Sequence, residues 1–404
     1  AGSIWLPTLA LGALQRLAGS IWLLTNAPTT APSTRLAKKN RCAAGRPAST
    51  LPASLALQRF FQKQGRRDNI LGRDGSFMRW QYGRLISGQL KDSLSLVIAE
   101  EDAQIAGILG FIPCQMRLAD GQIVHGVWLS QWLVLEEYRG TGVGLQLFER
   151  LREFKFDVIA MQGVRQNMQG LLIKLGFALI EDQTRYICIT NPHSTVRLLF
   201  DAGIKAKLND LIPFAPKLGE RPNYKIAPWC KAFDEQLSTC IETFGQLHGG
   251  TVRDLDYLKW RYQEHPRFTY RTLVAVDGLH VIGLAVYRIE RVKDRRERIM
   301  RILEVMARGQ AAYDLTNAMI NIARAEGVCF VDFHSYSKPE PGILEVGLRP
   351  LDPASPMADL PARFQPLAPG YRPLTAAVLC KYGTENLVST SLYLTRSDGD
   401  VDRP

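Results

Sequence analysis

A glycine-rich segment, residues 139–145, carries the pattern in this sequence that is best suited to binding a phosphate group. It reads Arg-Gly-Thr-Gly-Val-Gly-Leu and lies between the apolar run 132–135 and an amphipathic stretch. Glycine lets the backbone turn sharply and approach a ligand without a Cβ in the way. Amides at the beginning of a helix, with the positive end of its dipole behind them, bind phosphate groups. The segment therefore predicts a pyrophosphate-binding loop.

The spacing of these glycines separates the loop from two other phosphate-binding motifs. A dinucleotide-binding fold requires Gly-x-Gly-x-x-Gly, and a P-loop ends in Gly-Lys-Ser/Thr. Neither pattern occurs at residues 139–145. A tight strand-to-helix turn that binds no ligand is the alternative that this pattern leaves open.

Strand-like and helix-like segments alternate around the loop. Two strand-like runs, 94–99 and 105–116, flank a polar turn and predict a hairpin. Further along, the periodicity predicts a strand at 127–135, a helix at 145–156, a strand at 157–164, a helix at 168–175 and a strand at 186–190. The loop is therefore expected at a strand-to-helix junction in an α/β fold.

Arg-Gly-x-Gly-x-Gly between an apolar strand and a helix resembles the coenzyme A motif of the GCN5-related N-acetyltransferases, the GNAT superfamily. A second family mark follows, since Asn167 opens a predicted helix that closes in Lys-Leu-Gly-Phe at 174–177. The resemblance covers residues 90–190 or so. It implies acetyl-CoA as co-substrate, and a mixed α/β fold whose twisted, mostly antiparallel sheet is flanked by helices.

The resemblance also implies roles for individual residues. The amides of the loop would bind the pyrophosphate, and the main chain of the preceding strand would hold the pantetheine arm and direct a donor at the thioester carbonyl. Asn167 would contact the arm, with a plain helix N-cap as its alternative role. The implied cofactor-binding residues are Leu133, Val134, Arg139, Gly140, Thr141, Gly142, Val143, Gly144, Leu145 and Asn167.

Two positions at which the family usually carries catalytic groups differ here. Leu172 stands where many members have a tyrosine that protonates the leaving thiolate, and residues 130–132, Ser-Gln-Trp, lack the usual carboxylate base. Amide formation from a thioester needs both a base and an acid. Either the second half of the chain supplies them, from its predicted strands and strand ends, or water does. The candidate catalytic residues are Glu304, Asp332 and His334.

The second half of the sequence repeats the order of predicted elements found in the first half. Residues 79–82, Arg-Trp-Gln-Tyr, are matched by 259–262, Lys-Trp-Arg-Tyr, and a strand, a turn and a glycine-containing strand follow each. Residues 306–311 replace the glycine loop, so the second copy is not expected to bind coenzyme A. It is expected to form the substrate site by supplying the wall that lies opposite the first copy. The candidate substrate residues are Trp80, Tyr82, Trp132 and Tyr336.

This duplication predicts two tandem GNAT-type domains and two connecting segments. A first domain at 56–205 would bind acetyl-CoA, a Pro- and Gly-rich linker would span 206–230, and a degenerate domain would occupy 231–404. Residues 1–55 are expected to be a disordered leader. Pro7 and Arg16 interrupt its apolar run, which is too short for a membrane span.

Charge and cysteine usage narrow the class of protein. The net charge is +11, but residues 1–67 contain ten Lys or Arg and no acid, so the remainder is close to neutral. A nucleic-acid partner is therefore not expected, because binding a phosphate backbone requires a basic face on the folded surface. The seven cysteines are scattered, which favours neither disulfides nor a zinc site and fits a cytoplasmic location. No metal is expected.

The leading interpretation is an acetyl-CoA-dependent N-acyltransferase that acts on a small amine. Residues 253–266, together with the tail 392–404, resemble tandem acetyltransferase-like proteins that accompany bacterial surface-polysaccharide genes. That resemblance favours an amino sugar or a nucleotide-sugar as the acceptor. Two alternatives remain, a tandem aminoacyl ligase of the cell-wall type and a coenzyme A-binding protein without catalysis.

Overall fold

The computed structural model describes residues 20–25, 53–63, 69–84, 93–102, 104–180, 183–217, 219, 222–355, 357–365, 367–368, 370, 374–389 and 391–402. These residues fall into two compact units. The first lies within 1–113 and 129–156, and the second within 114–128 and 157–404.

The described part of the first unit contains four strands, of which the third and fourth extend past its bounds, and three α-helices. Strands β1, β2, β3 and β4 follow one another in the sheet, and the pairs β1–β2 and β2–β3 are antiparallel. The apolar faces of α1 and α2 pack against β2. The elements are β1 (Ser20–Thr25), α1 (Ala53–Lys63), α2 (Gly75–Tyr82), β2 (Ser93–Glu101), β3 (Gln104–Arg117), β4 (Ile123–Val134) and α3 (Val143–Arg152).

Strand β1 comes from the segment that was expected to be a disordered leader. Its residues, Ser-Ile-Trp-Leu-Leu-Thr, are rich in side chains that favour strands, and they pair with β2 from Ser20 opposite Glu100 to Thr25 opposite Ser93. Helix α1 begins at Ala53. The rest of the predicted leader lies outside the described residues.

The second unit contains a seven-stranded sheet in the order β14-β7-β13-β12-β11-β10-β8. The pair β12–β13 is parallel, and the pairs β8–β10, β10–β11, β11–β12, β7–β13 and β7–β14 are antiparallel. Helix α9 packs on one face of this sheet and α7 on the other. The elements are β5 (Val158–Gln162), α4 (Gln166–Lys174), β6 (Ala178–Ile180), β7 (Thr184–Ile189), α5 (Pro192–Asp201), α6 (Leu208–Leu211), β8 (Lys225–Pro228), α7 (Asp234–Gln246), β9 (Gly250–Thr251), α8 (Leu255–Leu258), β10 (Arg271–Asp277), β11 (His280–Arg291), β12 (Arg298–Ala307), α9 (Gly309–Ala325), β13 (Phe330–Ser335), α10 (Pro341–Glu345), β14 (Arg349–Pro350), β15 (Arg363–Phe364), β16 (Leu367–Ala368) and β17 (Ala376–Cys380).

Two strands of the second unit pair far from their neighbours in sequence. Strand β7 lies beside β13, with Asp332 opposite Ile187, and β17 pairs with both β5 and β6. Each half of the sequence thus gives a strand to a sheet built mainly by the other. The compact units therefore do not follow the predicted segments 56–205 and 231–404, and that division into domains stays a prediction.

The expected fold class is confirmed, since the sheets are mostly antiparallel and helices flank them. The predicted elements near the loop differ from the observed ones only at their ends. The predicted linker 206–230 contains α6 and also β8, which pairs with β10 at the edge of the seven-stranded sheet.

A set of buried ion pairs crosses the second unit, and we refer to it as the arginine network. In one branch Arg253 pairs with Glu304 and Asp398 at 2.8 and 2.7 Å, and the other branch runs through Arg301. Every one of these side chains is at most 5% exposed, so each charge has lost its water and depends on its partner. The members are Arg185, Arg253, Arg288, Arg301, Glu290, Glu304, Asp332, Asp398 and Asp402.

The end of the chain, residues 391–402, is held by this network. Asp398 accepts from the Arg253 guanidinium, and Asp402 accepts from Arg288 at 3.0 Å and from the Tyr270 hydroxyl at 2.7 Å. Ser397 donates to Glu304 at 2.6 Å. The tail is therefore part of the core of the second unit.

The network should make folding sensitive to acid. Burial alone would raise the pKa of Asp332, but the charges of Arg301 and Arg185 outweigh it and hold this pKa well below its usual range. A carboxyl whose pKa is lowered by folding stabilises the fold above its unfolded pKa of about 3.9, and this stabilisation is lost as the pH falls further. We expect the free energy of unfolding, from urea titrations between pH 3 and 7, to decrease below about pH 4.

Asp332→Asn should remove about 3–5 kcal/mol of stability at pH 7, because it leaves two buried guanidinium groups short of a countercharge. The free energy of unfolding of this variant should also decrease less steeply below about pH 4 than that of the natural protein. Asp277→Asn, at an exposed position at the end of β10, is the control and should change stability by less than about 0.5 kcal/mol. Equal effects of the two substitutions would contradict a structural role for the network.

Candidate functional site

The second half of β4 differs from the first in exposure. Residues 126–129 are buried, whereas residues 130–134 are half-buried. Just beyond the strand, the amide of Leu135 donates to the carbonyl of Ala106 at 2.9 Å, which keeps this end of β4 against β3. The predicted contacts to a pantetheine arm, Leu133 and Val134, therefore lie on an ordered strand end that solvent reaches.

The loop after β4 is held by its own backbone and by glycine conformations. A short turn, Glu136–Tyr138, precedes it, and the Thr141 hydroxyl donates to the carbonyl of Tyr138 at 2.7 Å. Gly140 and Gly142 have φ angles of +81° and +93°, in the left-handed region that other residues rarely adopt. The glycines are thus required by the shape of the loop.

Helix α3 begins at the loop without a side-chain cap. Its N-cap residue is Gly142, which has no side chain, and no described side chain accepts a hydrogen bond at this position. The amides of the first turn of a helix have no partner within the helix and carry its positive dipole end. Those of Val143, Gly144 and Leu145 are therefore suited to an anionic group, and a Cβ at Gly140 would meet no atom within 4 Å. This cradle fits a pyrophosphate.

Trp132 fixes the position of the loop relative to the strand. Its indole N–H donates to the carbonyl of Gly144 at 3.1 Å, and its ring stacks on Phe148 with centroids 5.5 Å apart. Gly107 on β3 permits this close packing, since a Cβ there would lie 3.1 Å from the Leu133 carbonyl oxygen. Trp132 was predicted to contact substrate. Its observed contacts, with Gly144 and Phe148, stabilise the loop.

A hydroxyl pair lies beside the half-buried part of β4. The Tyr82 hydroxyl from α2 is 2.8 Å from the hydroxyl of Ser130, and Tyr82 has no exposed surface. Gly110 makes room for the pair, because a Cβ there would lie 2.7 Å from the Tyr82 oxygen. Sequence reasoning noted Ser130 only as the lack of a carboxylate. No local pattern connects it to Tyr82, which lies 48 positions earlier.

Trp80 and Tyr82, the other predicted substrate residues of the first unit, belong to its apolar core. Trp80 is half-buried in the core formed by α1, α2 and β2, with its ring 5.5 Å from that of Phe77. Because Tyr82 is fully buried, it offers no ring face on which a sugar could stack.

Asn167 lies in the second unit as the second residue of α4, and it is exposed. The N-cap of α4 is Arg165, with extended backbone. The alternative role of Asn167 as a helix N-cap is therefore wrong, because the helix begins one residue before it, at Gln166. A role in contacting the cofactor stays a prediction.

The candidate catalytic residues of the second unit belong to the arginine network or lie beside it. Glu304 accepts from Arg253, Tyr262 and Ser397 and is 0% exposed. Asp332 accepts from Arg185 at 2.9 Å. The contacts observed for these two carboxylates are structural ones.

His334 and Tyr336 lie at the end of β13. Burial, with the charge of Arg396, holds the pKa of His334 well below its ordinary value, so its imidazole is neutral at pH 7. Tyr336 is half-buried, and its backbone amide donates to the carbonyl of Leu394 in the tail. A role of either residue in catalysis or substrate binding stays a prediction.

Comparison with known proteins agrees with this geometry over the first part of the chain. Residues 67–177, about a quarter of the chain, match the model of the acetyltransferase (GNAT) family. This segment contains β4, the loop, α3 and α4, and the match supports acyl transfer as the general chemistry. No curated protein matches the chain.

Three solved structures are similar to the chain. A GCN5-related N-acetyltransferase from Anabaena variabilis ATCC 29413 is 14% identical, with a TM-score of 0.50 over 80% of this chain and 69% of that chain. A probable N-acyltransferase from Enterococcus faecalis V583 is 14% identical, with a TM-score of 0.46 over 70% of this chain and 61% of that chain. Saccharomyces cerevisiae N-myristoyltransferase with bound myristoyl-CoA is 11% identical, with a TM-score of 0.45 over 75% and 72%. At this identity the first likeness shows a shared fold alone.

Among the residues that the structure describes, no three His, Cys, Asp or Glu side chains are grouped so that they could hold a metal ion. None of the described helices is long and apolar enough to cross a bilayer.

Trp132→Phe tests whether the indole N–H holds the loop in its binding shape. The substitution keeps an aromatic ring against Phe148 but loses the hydrogen bond to Gly144, a loss of about 1 kcal/mol. We expect the Kd for acetyl-CoA, measured by calorimetry, to rise about five-fold.

Trp128→Phe is the matched control. Its indole also donates a hydrogen bond, to Thr251 at 2.9 Å, but in the second unit. It should lower thermal stability and leave the Kd unchanged. A Kd that Trp132→Phe does not alter would mean that the loop keeps its shape without the indole.

Proposed function

We propose that the protein is an acetyl-CoA-dependent N-acyltransferase that acts on a small amine. The observation that carries this proposal is the loop at 139–145, with left-handed glycines at 140 and 142 and an uncapped helix behind it. The match of residues 67–177 to the GNAT family model supports the same conclusion.

The loop would hold the cofactor through its backbone. The amides of Val143, Gly144 and Leu145 would donate to the pyrophosphate, and the dipole of α3 would favour its negative charge. The amides of Arg139 and Thr141 donate to carbonyls of the preceding turn and fix the shape of the loop. Arg139 at the beginning of the loop adds a positive charge. The bound cofactor would supply the acyl group as a thioester.

The exposed end of β4 would position that thioester. The main chain of Leu133 and Val134 would run beside the pantetheine arm, and one amide would donate to the thioester oxygen as negative charge develops there. A fixed donor of this kind lowers a barrier by about 3 kcal/mol. It needs a rigid strand, and the packing of Trp132 on Phe148 supplies rigidity next to it.

The hydroxyl pair of Ser130 and Tyr82 is our proposed route for a proton. Ser130 is half-buried on the exposed half of β4, and the buried Tyr82 hydroxyl behind it can accept or donate in turn. A phenol is a suitable acid for a leaving thiolate, because their pKa values are similar in water. The pair would take the place of the family's tyrosine, where this chain has the fully buried Leu172.

A role of Glu304, Asp332 and His334 in acid–base chemistry would require the tail 391–402 to move. Glu304 is bonded to Ser397 of the tail and to Arg253. We propose that the two carboxylates serve stability first.

The acceptor class is the part of the proposal that depends on sequence resemblance. An amino sugar or nucleotide-linked amino sugar is our choice, and it would bring an amine of modest pKa to the acyl group without a covalent enzyme intermediate. The cytoplasm is the proposed location. A coenzyme A-binding protein without catalysis is the second candidate, favoured by the buried Leu172 at the tyrosine position.

Gly142→Glu tests the loop directly. A glutamate at φ +93° strains the backbone and places negative charge where the pyrophosphate would bind. By calorimetry the natural protein should bind acetyl-CoA, and the variant should bind at least about 100-fold more weakly, since roughly 3 kcal/mol would be lost from strain and repulsion.

Gly121→Glu is the control, because Gly121 has φ +90° in an exposed turn and nothing lies within 4 Å of its Cβ. It should be strained to the same degree and bind normally. Absence of binding by the natural protein would refute the proposal. Binding with no turnover of any amine in a panel of amino sugars and nucleotide-sugars would favour the non-catalytic candidate.

Tyr82→Phe and Ser130→Ala test the proton route. Each removes one hydroxyl of the pair, and each should lower kcat by about 100-fold while the KM for acetyl-CoA stays within about two-fold. The double substitution should be little worse than either single one, because the two groups act as a unit.

Ser130→Thr should restore most of kcat, because it returns a hydroxyl to the position next to Tyr82. A fall in thermal stability with unchanged kcat would show that the pair is only structural.

A further inference from the structure

Helix α5 has an inner and an outer face of different character. Thr195, Leu198 and Leu199 are buried in the core of the second unit. The outer face and the loop after it line an open groove of about 430 Å³. Its lining residues, which we call the α5 surface, are His193, Val196, Arg197, Phe200, Ile204, Lys205, Ala206 and Lys207.

Large apolar side chains project from this region into water. Phe200 is 74% exposed, and Leu208 and Ile212, a few residues further along, are 44% and 66% exposed. Of the three, Phe200 lines the groove itself, so its exposed ring adds to the apolar surface that the groove presents to a partner.

The charges of the same region leave a positive excess. Asp201 is engaged by Arg295, Asp210 accepts from the backbone amide of Lys207, and Glu297 accepts from Arg197 at 2.7 Å. Among the residues that the structure describes, no carboxylate forms an ion pair with Lys205 or Lys207, and both are exposed. The groove thus has an apolar floor and a cationic rim.

We propose that the α5 surface binds the anionic phospholipid face of a membrane, peripherally. Lysines with long flexible stems place their ammonium groups at headgroup phosphates while an aromatic side chain between them enters the acyl boundary. Phe200, Lys205 and Lys207 line the same groove and could act together in this way. The proposal is independent of the proposed acyl transfer.

A peptide partner fits these observations less well. Recognition of an extended peptide needs backbone or amide groups that fix its direction. The amides and carbonyls of α5 bond within the helix, and its cap residue Asn191 accepts from Ser194. Mobile lysines and a projecting phenylalanine suit a fluid anionic surface better.

Sedimentation with vesicles tests this, using the full chain with phosphatidylcholine alone and with phosphatidylcholine containing 30% phosphatidylglycerol. The natural protein should bind only the anionic vesicles. Each lysine near such a surface contributes about five-fold in affinity, so Lys205→Glu/Lys207→Glu should weaken binding by at least about 25-fold. Phe200→Ser should weaken it by at least about 10-fold.

Two control variants distinguish the α5 surface from the rest of the protein. Leu279→Ser removes another apolar side chain, which is 86% exposed in the turn between β10 and β11, and Lys225→Glu/Lys231→Glu removes two exposed lysines that do not line the groove. Leu279→Ser should reduce vesicle binding less than Phe200→Ser does. Lys225→Glu/Lys231→Glu should reduce it less than Lys205→Glu/Lys207→Glu does. Failure to bind anionic vesicles, binding that Phe200→Ser leaves unchanged, or self-association that the same variant abolishes would each overturn the proposal.

Discussion

The second unit depends on charges that have lost their water. Arg253, Arg288 and Arg301 lie in its interior, and a buried guanidinium is tolerated only when carboxylates surround it. Those carboxylates come from distant parts of the chain: Glu304 from β12, Asp332 from β13, and Asp398 and Asp402 from the tail. Removing any of them would leave a buried arginine with less countercharge than it now has. The position of the tail and the packing of β11 to β13 follow from this requirement.

The first unit meets a different constraint, which is to hold a bare backbone loop in one shape. Left-handed glycines make residues 139–145 suitable for a pyrophosphate but supply no side chains to stabilise the turn. The neighbours do so. Trp132 reaches across from β4 to the Gly144 carbonyl, and Gly107 lets β3 approach α3 closely. The same strand brings Ser130 to the buried Tyr82 hydroxyl. Loop, strand end and hydroxyl pair thus share one rigid support, which a transferase of the proposed kind requires.

The two halves of the chain differ at the positions that the predicted duplication would align. The first half has the glycine loop, whereas in the second half α9 begins at Gly309, after an N-cap residue, Arg308, that also gives no side-chain cap. In the second half, Glu304 and Asp332 are bonded to arginines. Strands β7 and β17 each pair in a sheet built mainly by the other half, so neither sheet is complete without both. The glycine loop and most of the arginine network therefore lie in different parts of the sequence, although strand pairing joins the two halves.

The sequence by itself determined the features that depend on local spacing: the loop, the hairpin before it, the helices that follow, and the mixed α/β class. Glycine spacing and hydrophobic periodicity act over a few residues, so they can be recognised in the sequence without a structure. Tertiary structure alone decided the partners. Nothing near Asp332 in sequence indicates Arg185, and nothing near Tyr82 indicates Ser130, because burial and non-local strand pairing bring them together. For the same reason β7 could be predicted as a strand but not placed in its sheet, and Glu304 could be selected as an acid but not recognised as a buried counterion.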